Sequence, residues 1–273
     1  MNEYQRKYLD LLQLLLTDYH RIERGEFKPI LGRTWKTRML QAADKFLKRK
    51  DYTIQRIVKT NKNNRLNGLD WPSYSETMIG IKRLQNIEYC ISKIIDDKIE
   101  GDLIETGVWR GGGSMYMKAV LNVLDSDKNV WLADSFEGLP KPNTDLYPDD
   151  AGLDFSETEE LKVSAEEVRA NFEKYNLLDD KVKFVKGWFK DTLPGLKVDK
   201  ISLMRLDGDL YESAWDSITN LYPKLSVGGF VIVDDWGLGP ATQKALQTYR
   251  KQHGIHDEII DIDGSGVYWR RSS

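Results

Sequence analysis

A chain of 273 residues, 40% hydrophobic and 30% charged, carries enough apolar material for one large core with an extension or two modest cores. Its net charge of −3 excludes nucleic-acid binding driven by bulk electrostatics. Its one cysteine, Cys90, excludes an internal disulfide framework, and with no signal-peptide pattern and no run of membrane-spanning length the expectation is a cytoplasmic protein.

Residues 1–100 read as helical. Tyr4, Tyr8, Leu11, Leu12, Leu15 and Tyr19 recur at helical spacing, and Trp35, Met39, Ala43, Phe46 and Leu47 mark a second helix. A polar, Gly-terminated loop at 61–68 separates this from a third helix. Ser73-x-x-Glu76 after Pro72 is a capping-box pattern, which predicts that the third helix starts there and runs to about residue 97.

From residue 102 strands and helices alternate. Strands are predicted at 102–108, 130–136, 182–188, 201–206 and 230–233, with helices at 113–124, 164–175, 213–225 and 241–252 between and after them. Gly228-Gly229 is read as the break that ends the 213–225 helix. Two closing strands, 258–262 and 266–270, are joined by a tight Asp263-Gly264-Ser265-Gly266 link that suits an antiparallel hairpin. Repeated βα units imply a mainly parallel, doubly wound sheet.

Two of these strands end in paired acids, Asp207-Gly208-Asp209 and Asp234-Asp235. As neighbours they would bring three or four carboxylates to one sheet edge, a costly cluster unless a cation or proton offsets the repulsion. Hard oxygen ligands at that density suit Mg²⁺, Ca²⁺ or Mn²⁺. The plainer alternative is that Asp209 caps the following helix and that Asp234 or Asp235 closes a turn. The first strand leads into Gly107-Val108-Trp109-Arg110-Gly111-Gly112-Gly113-Ser114, where missing Cβ atoms would let a ligand approach the backbone. The spacing is not the dinucleotide G-x-G-x-x-G, which disfavours a pyrophosphate ligand. Asp134, closing the second strand, can accept hydrogen bonds from a ribose diol, as an adenosine-containing cofactor would require.

The segments 105–112 (Glu-Thr-Gly-Val-Trp-Arg-Gly-Gly) and 133–140 (Ala-Asp-Ser-Phe-Glu-Gly-Leu-Pro) resemble the S-adenosylmethionine-binding segments of the macrocin O-methyltransferase family. Residues 206–213 and 228–235 are similar to its metal and catalytic segments, and Thr77-Met78-Ile79-Gly80 to its lid over the cofactor. The resemblance runs from about residue 70 to the end. It implies a Rossmann-like class I methyltransferase with a seven-stranded, mostly parallel sheet and an antiparallel final strand. It also implies an N-terminal helical extension over 1–70 and a catalytic domain over 71–273 that includes a lid helix at 73–97.

The implied reaction is Mg²⁺-dependent methyl transfer from S-adenosylmethionine to a hydroxyl of a sugar or phenolic natural product, by a homodimer or larger homo-oligomer. By motif position, Asp209 would be the general base, and Asp207, Asp234 and Asp235 the metal ligands. Thr77, Met78, Glu105, Gly107, Gly111, Ser114, Asp134, Ser135, Gly187, Trp188 and Asp207 would hold the cofactor.

The chemistry agrees with that division. A sulfonium methyl is already activated, so the difficulty lies in a poorly nucleophilic hydroxyl, which a cation acidifies while a carboxylate takes its proton. Trp109, Trp188 and Trp236 each follow a strand and could wall the pocket, whereas His20, His253 and His256 read as surface groups. The rival reading is a metal-dependent glycosyltransferase using Asp207-Gly208-Asp209 as a D-x-D site, which leaves Asp234-Asp235 and the glycines without a task. Charge is uneven: residues 33–65 hold eleven Lys/Arg against Asp44 and Asp51, and residues 145–160 hold seven acids and no base. Each is either a solvated surface or a binding segment. The acidic stretch, within a Pro-bounded loop at 141–160, is expected to close over the substrate.

Overall fold

The computed structural model describes residues 1–30, 34–237 and 239–273. Arg33, the first cation of the basic run, lies outside the described residues. The centre is a seven-stranded sheet built from β3 (Asp102–Thr106), β4 (Val130–Asp134), β5 (Val182–Lys186), β6 (Ile201–Leu206), β7 (Leu225–Val233), β8 (Ile260–Asp261) and β9 (Val267–Arg270). Their order is β5-β4-β3-β6-β7-β9-β8. The first five strands in that order run parallel, and β9 is antiparallel to both β7 and β8. Every residue of β6 is buried, as a central strand covered on both faces requires. The chain winds outward from β3 through β4 to β5, then returns to β6, so strand order reverses between β3 and β6. Ligands of open α/β sheets bind beyond the carboxyl ends of the strands at that reversal.

Helices α5 (Gly112–Val123) and α6 (Ala165–Lys174) follow β3 and β4, with the single turn α7 (Phe189–Thr192) after β5. Helices α8 (Tyr211–Leu221) and α9 (Pro240–Gln252) follow β6 and β7. Two apolar clusters cover the two faces of the sheet. Leu84, Ile87, Ile91, Tyr116, Val120 and Phe172 fill one, and Ile201, Met204, Ile218, Val231, Leu246 and Trp269 fill the other.

The N-terminal helix α1 (Glu3–Leu16) joins the first cluster through Leu9, Leu12 and Leu16. Its Gln13 bonds the Tyr116 hydroxyl at 2.5 Å and its Gln5 the carbonyl of Val123 at 2.9 Å. A hairpin of β1 (Glu26–Pro29) and β2 (Gln55–Val58) then departs from the all-helical expectation for residues 1–100. Between its strands lies α2 (Trp35–Leu47), none of whose residues is buried. A short helix, α3 (Lys62–Leu66), carries the buried Arg65, which is held by Glu26, Asp70 and the carbonyl of Thr17.

Three further expectations are corrected. The third helix, α4 (Ile81–Asp96), starts at Ile81 after an N-cap at Gly80, not at Ser73. Residues 73–80 are held as an irregular strap because their polar groups have other partners. The Arg110 guanidinium donates to the carbonyls of Ser73 and Ser75, and the Gly112 amide donates to that of Glu76. The Glu76 carboxylate, which the capping box needs, accepts from Lys174 at 2.6 Å. The second correction concerns Gly228-Gly229, which lie inside β7 rather than after a helix. Helix α8 ends at Leu221 and is followed by a tight turn containing Pro223, which cannot continue the i→i−4 ladder. Third, the strand expected at 258–262 shrinks to Ile260–Asp261.

Candidate active site

At the reversal point the loops after β3 and β6 touch. A Cβ on Gly107, whose φ is +85°, would overlap the carbonyl oxygen of Asp207. Glycine is therefore demanded here by the meeting of two strand ends, in addition to any ligand. The same holds further along the turn. A Cβ on Gly111 would meet Val168 of α6, and one on Gly113 would overlap the Glu105 carboxylate.

Beyond this junction opens a cleft. Of the residues expected to hold a cofactor, Met78, Gly107, Asp134, Ser135, Trp188 and Asp207 line it, and so does Asp209. Others stand behind its wall. Glu105 and Ser114 are buried and hydrogen-bonded to one another beneath the turn. Thr77 is buried in the strap, Gly111 packs on α6, and the Gly187 amide donates to the Asp134 carbonyl at 2.9 Å. Trp109 and Trp188 wall the cleft as expected, whereas Trp236 packs with the core cluster on the β6–β7 face.

Asp134 is held firmly. Its Oδ2 accepts from the Val108 amide and its Oδ1 from the Phe136 amide, both at 2.7 Å. Burial nevertheless outweighs these donors and raises its pKa. The Ser135 hydroxyl also reaches Oδ1, at 3.4 Å, and a ribose diol in the cleft would compete with this longer contact.

The acids form one cluster. Single oxygens of Asp207, Asp234 and Asp235 lie within 4.8 Å of one another. Two buried arginines serve this cluster unevenly. Arg205 donates to Glu105 and Asp234, each at 2.5 Å, and to Asp207 at 2.9 Å. Arg83 donates to Asp234 at 2.6 Å and to Asp263 at 2.8 Å. Burial alone would raise the pKa of Asp234, but these two guanidinium groups hold it below the ordinary carboxylate range. The others receive less: Arg205 alone reaches Asp207, and neither arginine hydrogen-bonds Asp209 or Asp235. Burial and the Asp234 charge push Asp207 up to about 8 and Asp209 up to about 6. Burial, then the charges of Asp209 and Asp207, raises Asp235 well above its usual value. Among the described residues Asp235 Oδ2 is buried without a hydrogen-bond partner. A hard divalent cation fits this donor set, since it would satisfy that oxygen and offset the unbalanced charge.

Asp209 is not a helix cap. The N-cap of α8 is Leu210, which makes no side-chain cap, and the first amides of α8 go instead to Asp150 of the acidic loop. Asp150 is fully buried; it accepts from Tyr211 at 2.6 Å and Glu212 at 3.3 Å. Asp209 sits in the left-handed region at φ 58°, and no described group donates a hydrogen bond to its carboxylate. Sequence reasoning missed the arginines, and it missed Lys190, Glu212 and Asp216, which add polar groups to the cleft. Burial and the neighbouring Glu212 push Asp216 up to about 6. A charged residue inside the apolar run 201–206 was the available signal for Arg205.

Sheet order and the cleft at its reversal point define a Rossmann-like class I methyltransferase, a fold that implies S-adenosylmethionine as methyl donor. Residues 5–271 match the family described as macrocin O-methyltransferase (TylF), and the chain belongs to that family of methyltransferases. The match takes in the N-terminal residues, where motifs alone supported a resemblance only from about residue 70.

The chain is 51% identical over 207 residues to demethyldecarbamoylnovobiocin O-methyltransferase of Streptomyces niveus, covering 75% of this chain and 79% of that one. It is 49% identical over 229 residues to 8-demethyl-8-(2,3-dimethoxy-alpha-L-rhamnosyl)-tetracenomycin-C 4'-O-methyltransferase of Streptomyces olivaceus, covering 82% and 87%. The solved structure of the O-methyltransferase NovP matches with a TM-score of 0.84 at 42% identity, over 98% of this chain and all of that one. Membership in this family overturns the nucleotide-sugar glycosyltransferase alternative. No helix among the described residues is long and apolar enough to cross a membrane.

Proposed function

We propose that this chain methylates a hydroxyl of a sugar or phenolic natural product, with a hard divalent cation such as Mg²⁺ at Asp207, Asp234 and Asp235 and with Asp209 as general base. The observation that carries this reading is the unequal carboxylate cluster. Single oxygens of Asp207, which lines the cleft, and of Asp234 and Asp235 lie within 4.8 Å of one another, and the Asp209 carboxylate in the same cleft is left without a donor. The relatives named above are O-methyltransferases, two of them acting by their names on a novobiocin or a rhamnosyl-tetracenomycin precursor.

When bound, the cation supplies positive charge that makes a neighbouring hydroxyl more acidic. The remaining work falls to the chain. Gly107, Asp134, Ser135, Met78, Trp188 and Asp207 hold the donor, and Glu105, Gly111, Ser114, Thr77 and Gly187 set the wall behind them. As the acceptor oxygen forms its bond to the methyl carbon, the carbon–sulfur bond breaks, its electron pair stays on sulfur, and the hydroxyl proton passes to Asp209. Holding oxygen and methyl carbon in line removes most of the entropic barrier. Labelled S-adenosylmethionine incubated with a panel of sugars and phenols, with Mg²⁺ or with chelator, tests this. Methylation undiminished in chelator would refute the cation's role.

The same proposal assigns the other segments. The loop at 141–160 acts as a lid. It is fastened by Asp150 to α8, by Asp149 to Lys244 at 2.8 Å, and by the Glu160 carbonyl to Trp109 at 2.8 Å. Residues 71–273 carry the transfer chemistry, and the region before residue 70 serves assembly and the substrate side. Its basic arm carries exposed Trp35 and Met39, and its charge complements the acidic lid of a second copy in a cytoplasmic homo-oligomer. Light scattering at low and high salt checks the assembly; a monomer at low salt would remove it.

A further inference from the structure

Arg205 has no place in the transfer step, yet it stands at the centre of the acid cluster. It lies in the middle layer of the sheet, paired in register with Glu105 on β3 and Ile232 on β7, and is only 2% exposed. Burying a guanidinium costs several kcal/mol unless its donors are well matched, and an apolar residue in its place would often serve stability as well. Its contacts are selective. One arm, Nη1, is anchored on the buried Glu105. The other, Nη2, is shared between Asp207 Oδ2 and Asp234 Oδ1. Arg83 takes the remaining oxygen of Asp234, Oδ2, and is itself anchored on Asp263. Both oxygens of Asp234 and one of Asp207 are therefore directed by planar forks, while neither arginine hydrogen-bonds Asp209 or Asp235.

We propose that Arg205, anchored by Glu105 and assisted by Arg83, is a positioning residue that presets Asp207 and Asp234 as ligands of the divalent cation. It does not serve merely as a resident counter-charge. The inference rests on the reading of Asp207, Asp234 and Asp235 as the cation's ligands.

The two roles differ in sign. A guanidinium near a divalent ion repels it, so if Arg205 supplied charge alone, its removal would tighten cation binding. If it supplies geometry, removal weakens binding, and partners behind metal ligands typically contribute about 10- to 100-fold to affinity. Substituting lysine separates the effects further, because an ammonium keeps the charge but cannot span Glu105, Asp207 and Asp234 as a fork does.

The test measures Mn²⁺ binding by electron paramagnetic resonance, and Mg²⁺ by competition, without turnover. It compares the full-length protein with Arg205→Met, Arg205→Lys and Arg83→Gln. The circular dichroism spectrum and the Tm serve as controls for folding. The expected result is Mn²⁺ affinity weakened about 10- to 100-fold in R205M, and about 3- to 10-fold in R205K and R83Q, with spectra unchanged. Unchanged or tighter binding in folded R205M overturns the positioning role. Should R205M not fold, unchanged or tighter binding in R205K and R83Q overturns it in the same way. Absence of specific Mn²⁺ binding in the unsubstituted protein would instead refute the cation site itself, so the two failures are distinguishable.

Discussion

At the scale of single residues, the site depends on groups with few alternatives. Asp209 has no structural duty to α8, so Asp209→Asn should leave the fold and the affinity for S-adenosylhomocysteine within about twofold. The same change should lower kcat by about 10²- to 10⁴-fold, the usual range for a lost general base. Calorimetry beside initial rates checks both halves, and a comparable loss of donor affinity would assign Asp209 to binding instead. Gly107→Ala is of another kind. It places a Cβ against the Asp207 carbonyl at a positive φ and should abolish soluble expression or lower Tm sharply. Asp207, Asp209, Asp234 and Asp235 were legible because each closes an apolar strand. Arg83 was not, since its partner Asp234 lies 151 residues away and no local pattern connects them. Arg205 stood in plain view within its strand, but a sequence does not say which carboxylates surround a buried cation.

At the scale of elements, strands were read better than helix ends. The run of buried apolar residues at 201–206 has no competing local structure, so its bounds agree with β6. Helix α4 was misplaced because Ser73 and Glu76 satisfy a local rule while Arg110, Lys174 and Glu26 bind the same segment from elsewhere. The hairpin of β1 and β2 was hidden because four-residue strands separated by a helix carry too little periodicity to register. Helix α8 shows the reverse case, a cap supplied from 61 residues away by Asp150. Asp150→Ala should therefore cost about 1–2 kcal/mol in urea unfolding, the upper range for a lost N-cap. It should also make the loop at 141–160 more sensitive to protease, because the loop loses its buried fastening. Unaltered cleavage in that loop would show that Lys244 and Trp109 hold it without Asp150.

At the scale of the whole molecule, the acid cluster makes stability depend on pH in a direction set by its shifted carboxylates. Unfolded aspartates titrate near about 3.9. In the folded, cation-free protein Asp209 is raised to about 6 and Asp207 to about 8, so both bind protons more tightly when folded. Their contribution to stability is complete below about pH 4 and is lost as pH rises through those folded values. Asp234 has the opposite sign: its pKa is lowered, so its contribution is present above about pH 4 and declines only as pH falls below that. Between about pH 5 and 8 the raised pair governs, and the protein in chelator should lose Tm steadily across that window. A divalent cation that binds the ionised carboxylates should stabilise more at about pH 8 than at about pH 5.5, flattening the profile. Asp235→Asn replaces one carboxylate ligand by a neutral amide, so it should reduce the gain from Mg²⁺. Scanning calorimetry across this range, with and without Mg²⁺, provides the measurement. Parallel profiles in the two conditions would mean that no cation is linked to these carboxylates.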